Sequence, residues 1–143
     1  MIETVVILEG KSRNAEAVRW FNEYARRLSG ALTLAEWGGR KKERQEKFFN
    51  SLPQDALVVS LDAAGVKMNS SAFAKRLYEL EKLYHKLYIF IGEAEGHSET
   101  VLLRARECWS LSELTFPYDI ALIVLSEQIY RAGAIRSNHP YHK

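Results

Sequence analysis

Residues 56–61, ALVVSL, form a nearly unbroken apolar run. A strand with one wet face alternates apolar and polar residues, so a strand apolar throughout is covered on both sides, as in a parallel sheet. Working outward, residues 2–8 read as a first strand built on Val5, Val6, Ile7 and Leu8. A helix over 13–28 follows, with Ala17, Val18, Phe21, Tyr24, Ala25 and Leu28 at helical spacing and Gly30 as its stop. ALTLAEW (31–37) reads as the second strand, and a charged helix near 40–50 comes after Gly38 and Gly39, closed by Pro53. Downstream of ALVVSL, Gly65 and Asn69 mark a turn before a helix over 70–85, and LYIFI (87–91) gives a fourth strand ending at Gly92. A helix over 98–107, an extended piece near 109–114 and a last helix over 119–136 complete the pattern. Parallel neighbours need helical crossovers, so the expectation is one α/β domain over 1–143, with helices on both sheet faces. Ligands in such folds bind beyond the C-terminal ends of the strands, which points to the segments after Leu61 and Ile91.

Composition excludes more than it selects. The chain has 143 residues and a formal net charge of +2. Its N-terminal apolar run lies between Glu3 and Glu9, too short and too acidic at its flanks for a signal peptide, and no stretch approaches a membrane span. One cysteine, Cys108, forms no intramolecular disulfide, so a cytoplasmic location is expected. No metal site is expected, because Cys108, His85, His97, His139 and His142 lack recognised ligand spacing; His85 and His97 read as surface residues. Neither GxxxxGK[ST] nor GxGxxG occurs, which counts against a phosphate-loop protein.

The distribution of charge is more informative than its sum. Residues 40–47 (RKKERQEK) read as a solvated helix face in which Glu43 and Lys47 can pair. Residues 130–143 (YRAGAIRSNHPYHK) interleave aromatic and basic groups without an acid, where a frayed polar terminus would be ordinary. Ile120 to Leu125 (IALIVL) is apolar around the whole helix, which requires burial on all sides. A small domain scarcely encloses its own last helix, so a homodimer through that helix is expected.

The segments LDAAG (61–65), SSAFA (70–74), IGEAEG (91–96), SLSELTFP (110–117) and SEQIYRAGAIRSNHPYHK (126–143) stand in an order and spacing that resemble the 23S rRNA pseudouridine N-3 methyltransferases. These are minimal enzymes of the SPOUT class. The resemblance implies a C-terminal trefoil knot, which topology rules alone would not suggest. It implies S-adenosyl-L-methionine as cofactor, with an adenosyl pocket at Leu61, at Gly92, Glu93 and Gly96, and along Ser112, Glu113, Leu114, Thr115, Phe116 and Pro117. It further implies ribosomal RNA, free or in an assembled ribosome, as partner.

Taken singly, each glycine is more simply the mark of an ordinary turn. Methyl transfer from a sulfonium mainly needs alignment, but the N-3 proton must leave, so a base is wanted. His142 is the candidate, Tyr141 can stack on or orient the base, and Arg131 can hold a phosphate or a developing negative charge. An i,i+4 pair with Glu127 is the plainer reading of Arg131. Three positions depart from the family: Glu93 stands where a second glycine is usual, Tyr118 where His is common, and Leu122 where Arg is common. They leave the alternative of a catalytically weakened SPOUT-fold module that binds RNA or a nucleotide without methyl transfer.

Overall fold

The structure is a computed structural model that describes residues 1–12, 14–39 and 41–143. The expected starts of the first helix at Arg13 and of the charged run at Arg40 lie outside the described residues.

Among the described residues five strands and five helices alternate: β1 (Glu3–Leu8), α1 (Ala15–Arg27), β2 (Leu32–Glu36), α2 (Lys42–Asn50), β3 (Ala56–Lys67), α3 (Ser70–Leu83), β4 (Lys86–Ile91), α4 (Glu99–Arg104), β5 (Glu107–Ser110) and α5 (Tyr118–Arg136). Side chains start three of the helices: Asn14 accepts from the Glu16 amide, Asn69 from Ala72, and Ser98 from Val101. The charged helix forms its i,i+4 pair between Lys42 and Glu46 rather than between Glu43 and Lys47.

The strands make one sheet in the order β2-β1-β4-β3-β5, with every pairing parallel. Alternation along each strand divides the core in two. Val6 and Leu8, Leu57 and Val59, and Leu87, Ile89 and Ile91 pack with Phe21, Leu77 and Leu125. Ile7, Val58 and Phe90 pack on the other face with Trp37, Phe49 and Val101. Helices α1, α3 and α5 cover the first face, and α2 and α4 the second. Connections toward the β2 edge use one face and those toward the β5 edge use the other, as crossovers of a single hand require.

Two boundaries differ from expectation. Gly65 does not end a strand: β3 runs on to Lys67, and its register against β5 shifts between Leu61 and Val66, both of which face Trp109. Residues 62–65 bulge out between them, and Gly65 presses its backbone onto β5, where a Cβ would lie 2.7 Å from the Cys108 carbonyl oxygen. The extended piece is shorter and earlier than 109–114, at Glu107–Ser110, because α4 ends at Arg104.

The last helix also corrects an expectation. Helix α5 lies against α1 and α3, and its own chain fully buries Leu122, Leu125 and Ile129. Ile120 remains 43% exposed, with Ile123 and Val124 half-buried. Between β5 at one sheet edge and the start of α5 beside β1, the strand order interposes β3 and β4. The Tyr118 hydroxyl donates to the Lys11 carbonyl and the Ser12 hydroxyl to Asp119, each at 2.7 Å, fixing the start of α5 beside the end of β1.

Gly65→Ala is expected to lower stability by about 1–3 kcal/mol, the cost of forcing a methyl into a filled contact. A reduced midpoint in chemical denaturation at unchanged slope checks it, and an unchanged midpoint would show that the bulge yields freely.

Candidate active site

Leu61, level with the C-terminal end of β4 although β3 itself runs on to Lys67, lies at the same sheet edge as the loop 92–97 after β4 and the segment 112–117 after β5. The loop is compact: the Gly96 amide donates to the Glu93 carbonyl at 2.8 Å. Gly96 has φ +93, a conformation costly for other residues, while a Cβ on Gly92 would lie 2.8 Å from the Gly96 carbonyl carbon. Both glycines therefore serve the turn itself. Across from it, the Ser112 hydroxyl accepts from the Leu114 amide at 3.0 Å and holds Leu114 on the surface, 70% exposed. Glu113, Thr115 and Pro117 are exposed, and Phe116 is half-buried.

Beneath these loops is a buried polar cluster that sequence reasoning missed. Glu9 is fully buried at the end of β1, and His97, expected at the surface, is 9% exposed. His97 Nδ1 lies 2.5 Å from Glu9 Oε2, and Nε2 lies 2.6 Å from the Leu61 carbonyl oxygen. The other Glu9 oxygen accepts from the Ser98 amide at 2.8 Å, and the Ser98 hydroxyl donates to Gln45 at 2.9 Å. Burial opposes a charged His97 and is the largest single influence on it. Hydrogen bonds to Glu9 and Leu61 nevertheless hold the imidazole above its ordinary value. The available signal was an acid placed directly after the apolar run of β1 and before Gly10.

The C-terminal candidates form a second cluster. Glu127 Oε1 accepts from Arg131 Nε at 2.9 Å, from Arg131 Nη2 at 2.6 Å and from the Tyr141 hydroxyl at 2.8 Å. The Arg131 guanidinium lies 4.8 Å from the centre of the Tyr141 ring, which meets Tyr130 edge-on. Arg131 Nη1 is 3.1 Å from His142 Nδ1, and because a guanidinium only donates, Nδ1 is the acceptor. Burial first, then hydrogen bonds to Glu127 and Tyr24, push the Tyr141 hydroxyl well above the ordinary phenol value, so it stays protonated. The tail is thus folded back onto α5 rather than frayed. Asn138 makes the reversal at φ 56, and the His139 amide donates to the Ala134 carbonyl at 2.9 Å.

The structure brings Arg131, Tyr141 and His142 to one another but not to the strand-end loops. Arg131 follows Tyr118 by 13 residues of α5. A helix rises about 1.5 Å per residue, which puts the two clusters of one chain on the order of 20 Å apart.

A family model described as a predicted SPOUT methyltransferase matches residues 2–142. The chain belongs to the SPOUT methyltransferase family. It is 33% identical to ribosomal RNA large subunit methyltransferase H of Xylella fastidiosa, over 100% of this chain and 99% of that protein. Likeness to the enzyme of the same name from Xanthomonas oryzae pv. oryzae is 34%, over 96% and 97%. Among solved structures, a probable methylase family protein from Haemophilus influenzae superposes with TM-score 0.61 at 12% identity, covering 98% of this chain and 70% of that one. The SpoU methyltransferase AviRb from Streptomyces viridochromogenes, in complex with the cofactor AdoMet, gives TM-score 0.54 at 12% identity, covering 96% and 61%. These structures share the fold. Full-length kinship with proteins named as methyltransferases does not favour the binding-only alternative.

Within this SPOUT family member, the three departures have local explanations. The Glu93 side chain turns toward Gly10 at the end of β1, where a Cβ on Gly10 would come within 2.6 Å of Glu93 Oε1. In the strand order this is the side of β4 opposite β3 and Leu61. Tyr118 ties α5 to Lys11, and Leu122 fills the core.

Glu127 is the hub of the tail cluster, and its loss is expected to free residues 139–143. In Glu127→Ala, amide hydrogen exchange across the tail should quicken by about tenfold, matching the loss of roughly 1.5 kcal/mol of hydrogen bonding to charged partners. Unaltered exchange would show that the contacts of the tail with Tyr130, Arg131 and Ala134 hold it without Glu127.

Proposed function

We propose that the chain transfers the methyl group of S-adenosyl-L-methionine to N-3 of a pseudouridine in large-subunit ribosomal RNA, in an active site completed between two copies of the chain. Full-length likeness to enzymes named for that RNA supports the substrate class. The observation that carries the two-chain site is the separation of roughly 20 Å along α5 between the strand-end loops and the trio of Arg131, Tyr141 and His142. The partner's tail supplies what each pocket lacks. Exposed Ile120, with half-buried Ile123 and Val124, supports a homodimer through α5. The trefoil knot belongs to the same reading, supported by the return of the chain from β5 at the sheet edge to the start of α5 beside β1. An RNA substrate of this kind supports a cytoplasmic location; among the described residues no helix is long and apolar enough to cross a membrane.

The strand-end residues fit an adenosyl group. Leu114, an apolar side chain held out on a loop, offers a wall for a purine, and half-buried Leu61 and Phe116 extend it. S-adenosyl-L-methionine supplies a methyl group already activated by its sulfonium, so the protein's task is alignment and proton removal. His142 takes the N-3 proton. Its Nδ1 now accepts from Arg131, so proton uptake there requires that contact to open when RNA binds. Arg131, released from His142, turns a donor toward a phosphate or a uracil oxygen on which charge develops. Tyr141, kept as a phenol, positions the ring by stacking or by donating a hydrogen bond.

Deleting Tyr141, His142 and Lys143 is expected to lower methyl transfer by at least about a hundredfold while cofactor affinity stays within about threefold, because base and alignment act in the transition state. Radiolabelled methyl transfer and calorimetry read the two effects. Mixing the truncated chain with one disabled at Leu114 should restore activity, since one hybrid site is intact. A mixture that stays inactive, despite verified hybrid dimers, would place the whole site in a single chain.

A further inference from the structure

The Glu9–His97 pair has no part in the reaction just described, yet its geometry is demanding. His97 sits between the Glu9 carboxylate at 2.5 Å and the Leu61 carbonyl at 2.6 Å. With Glu9 ionised both partners only accept, so both ring nitrogens must then donate, and only an imidazolium carries two N–H groups. Enclosing opposite charges this deeply costs desolvation, and apolar side chains filling the same space would be at least as stabilising. What such a pair supplies is direction. It joins the end of β1, the Leu61 carbonyl of β3 and the loop after β4, and the last two are walls of the proposed adenosyl pocket.

We propose that His97 is a positioning residue for the cofactor site, pinning the Leu61 carbonyl and the 92–97 loop in their receiving geometry only while both of its ring nitrogens are protonated. This role rests on the cofactor site proposed above. A neutral imidazole keeps one proton, and the Glu9 carboxylate, the stronger acceptor, retains it on Nδ1. The Nε2 lone pair then faces the Leu61 carbonyl oxygen, and the two repel. The carbonyl turns away, and the pocket wall and glycine loop relax with it.

The charged groups acting on the ring are Glu9 from the end of β1 and Asp62 from β3, and both favour the proton. The nearest residue of α2 in this network is neutral Gln45, bonded to Ser98, and the Glu93 carboxylate lies one residue beyond Glu9, over Gly10. Because the folded imidazole is held above the unfolded value of about 6.5, the bond network is complete below that pH. It is lost as pH rises through the folded value. Cofactor affinity should therefore fall on the alkaline side.

The test pairs NMR titration of His97 in the cofactor-free protein with calorimetry of S-adenosylhomocysteine from pH 6 to 10, on the wild type, Glu9→Gln and His97→Gln. Wild-type affinity should fall by about tenfold or more, with a midpoint matching that of His97. Both midpoints should move down together in Glu9→Gln, and His97→Gln should bind weakly with no such limb. Tight wild-type binding that is flat with pH, or a limb that ignores the His97 midpoint, overturns the positioning role while leaving the cofactor site standing. Absence of binding at every pH by folded wild-type protein overturns the cofactor site and this role with it. The cofactor-free NMR titration keeps the two failures apart.

Discussion

Everything in this protein hangs on the need to cover both faces of the central strands β1, β4 and β3. Val6, Ile7, Leu8, Val59, Ile89 and Phe90 are all at most 1% exposed. Each such side chain contributes about 1.5–3 kcal/mol relative to exposure. No arrangement with helices on a single face achieves that. Division into α1, α3 and α5 on one side and α2 and α4 on the other follows, and with it the gathering of every strand-to-helix loop at one edge.

That edge is where polar groups are admitted, and several of them are held by a partner on a different strand end, while the buried Gln45 Nε2 has none among the described residues. Glu9 reaches His97 and Ser98, His97 reaches Leu61, and Tyr118 and Asp119 reach the loop after β1. The loops are thus joined to one another rather than left to move separately, which suits a pocket that must hold a small molecule mainly with backbone groups. The Gly65 bulge belongs to the same design, since it lets β3 and β5 approach until backbone touches backbone.

At the far end of α5 a different logic holds. Arg131, Tyr141 and His142 are gathered around Glu127 by charge-assisted hydrogen bonds and ring contacts on the outside of the helix. Along α5 this cluster stands on the order of 20 Å from the strand-end loops of its own chain. Under the proposed function, groups held this far from the strand-end loops suit a site that two chains share, and the apolar surface remaining on α5 suits the contact that would bring them together.

Apolar runs such as ALVVSL determined the fold class by themselves, because a strand without a polar face has no stable place except between two layers. Motifs such as SLSELTFP and EQIYRA carried the family, and the tail drew notice because basic and aromatic residues without an acid are unusual at a terminus; that Arg131, Tyr141 and His142 cluster is seen only in the structure. Local pattern did not reveal that β3 continues past Gly65, since a bulge depends on the strand opposite. Nor did it reveal that the chain buries most of α5 itself, which depends on where α1 and α3 lie. His97 read as a surface residue because its partners, Glu9 and the Leu61 carbonyl, are 88 and 36 residues away. Hydrophobic periodicity is written in neighbouring residues, whereas the pairing of a buried charge is settled only when distant strand ends meet.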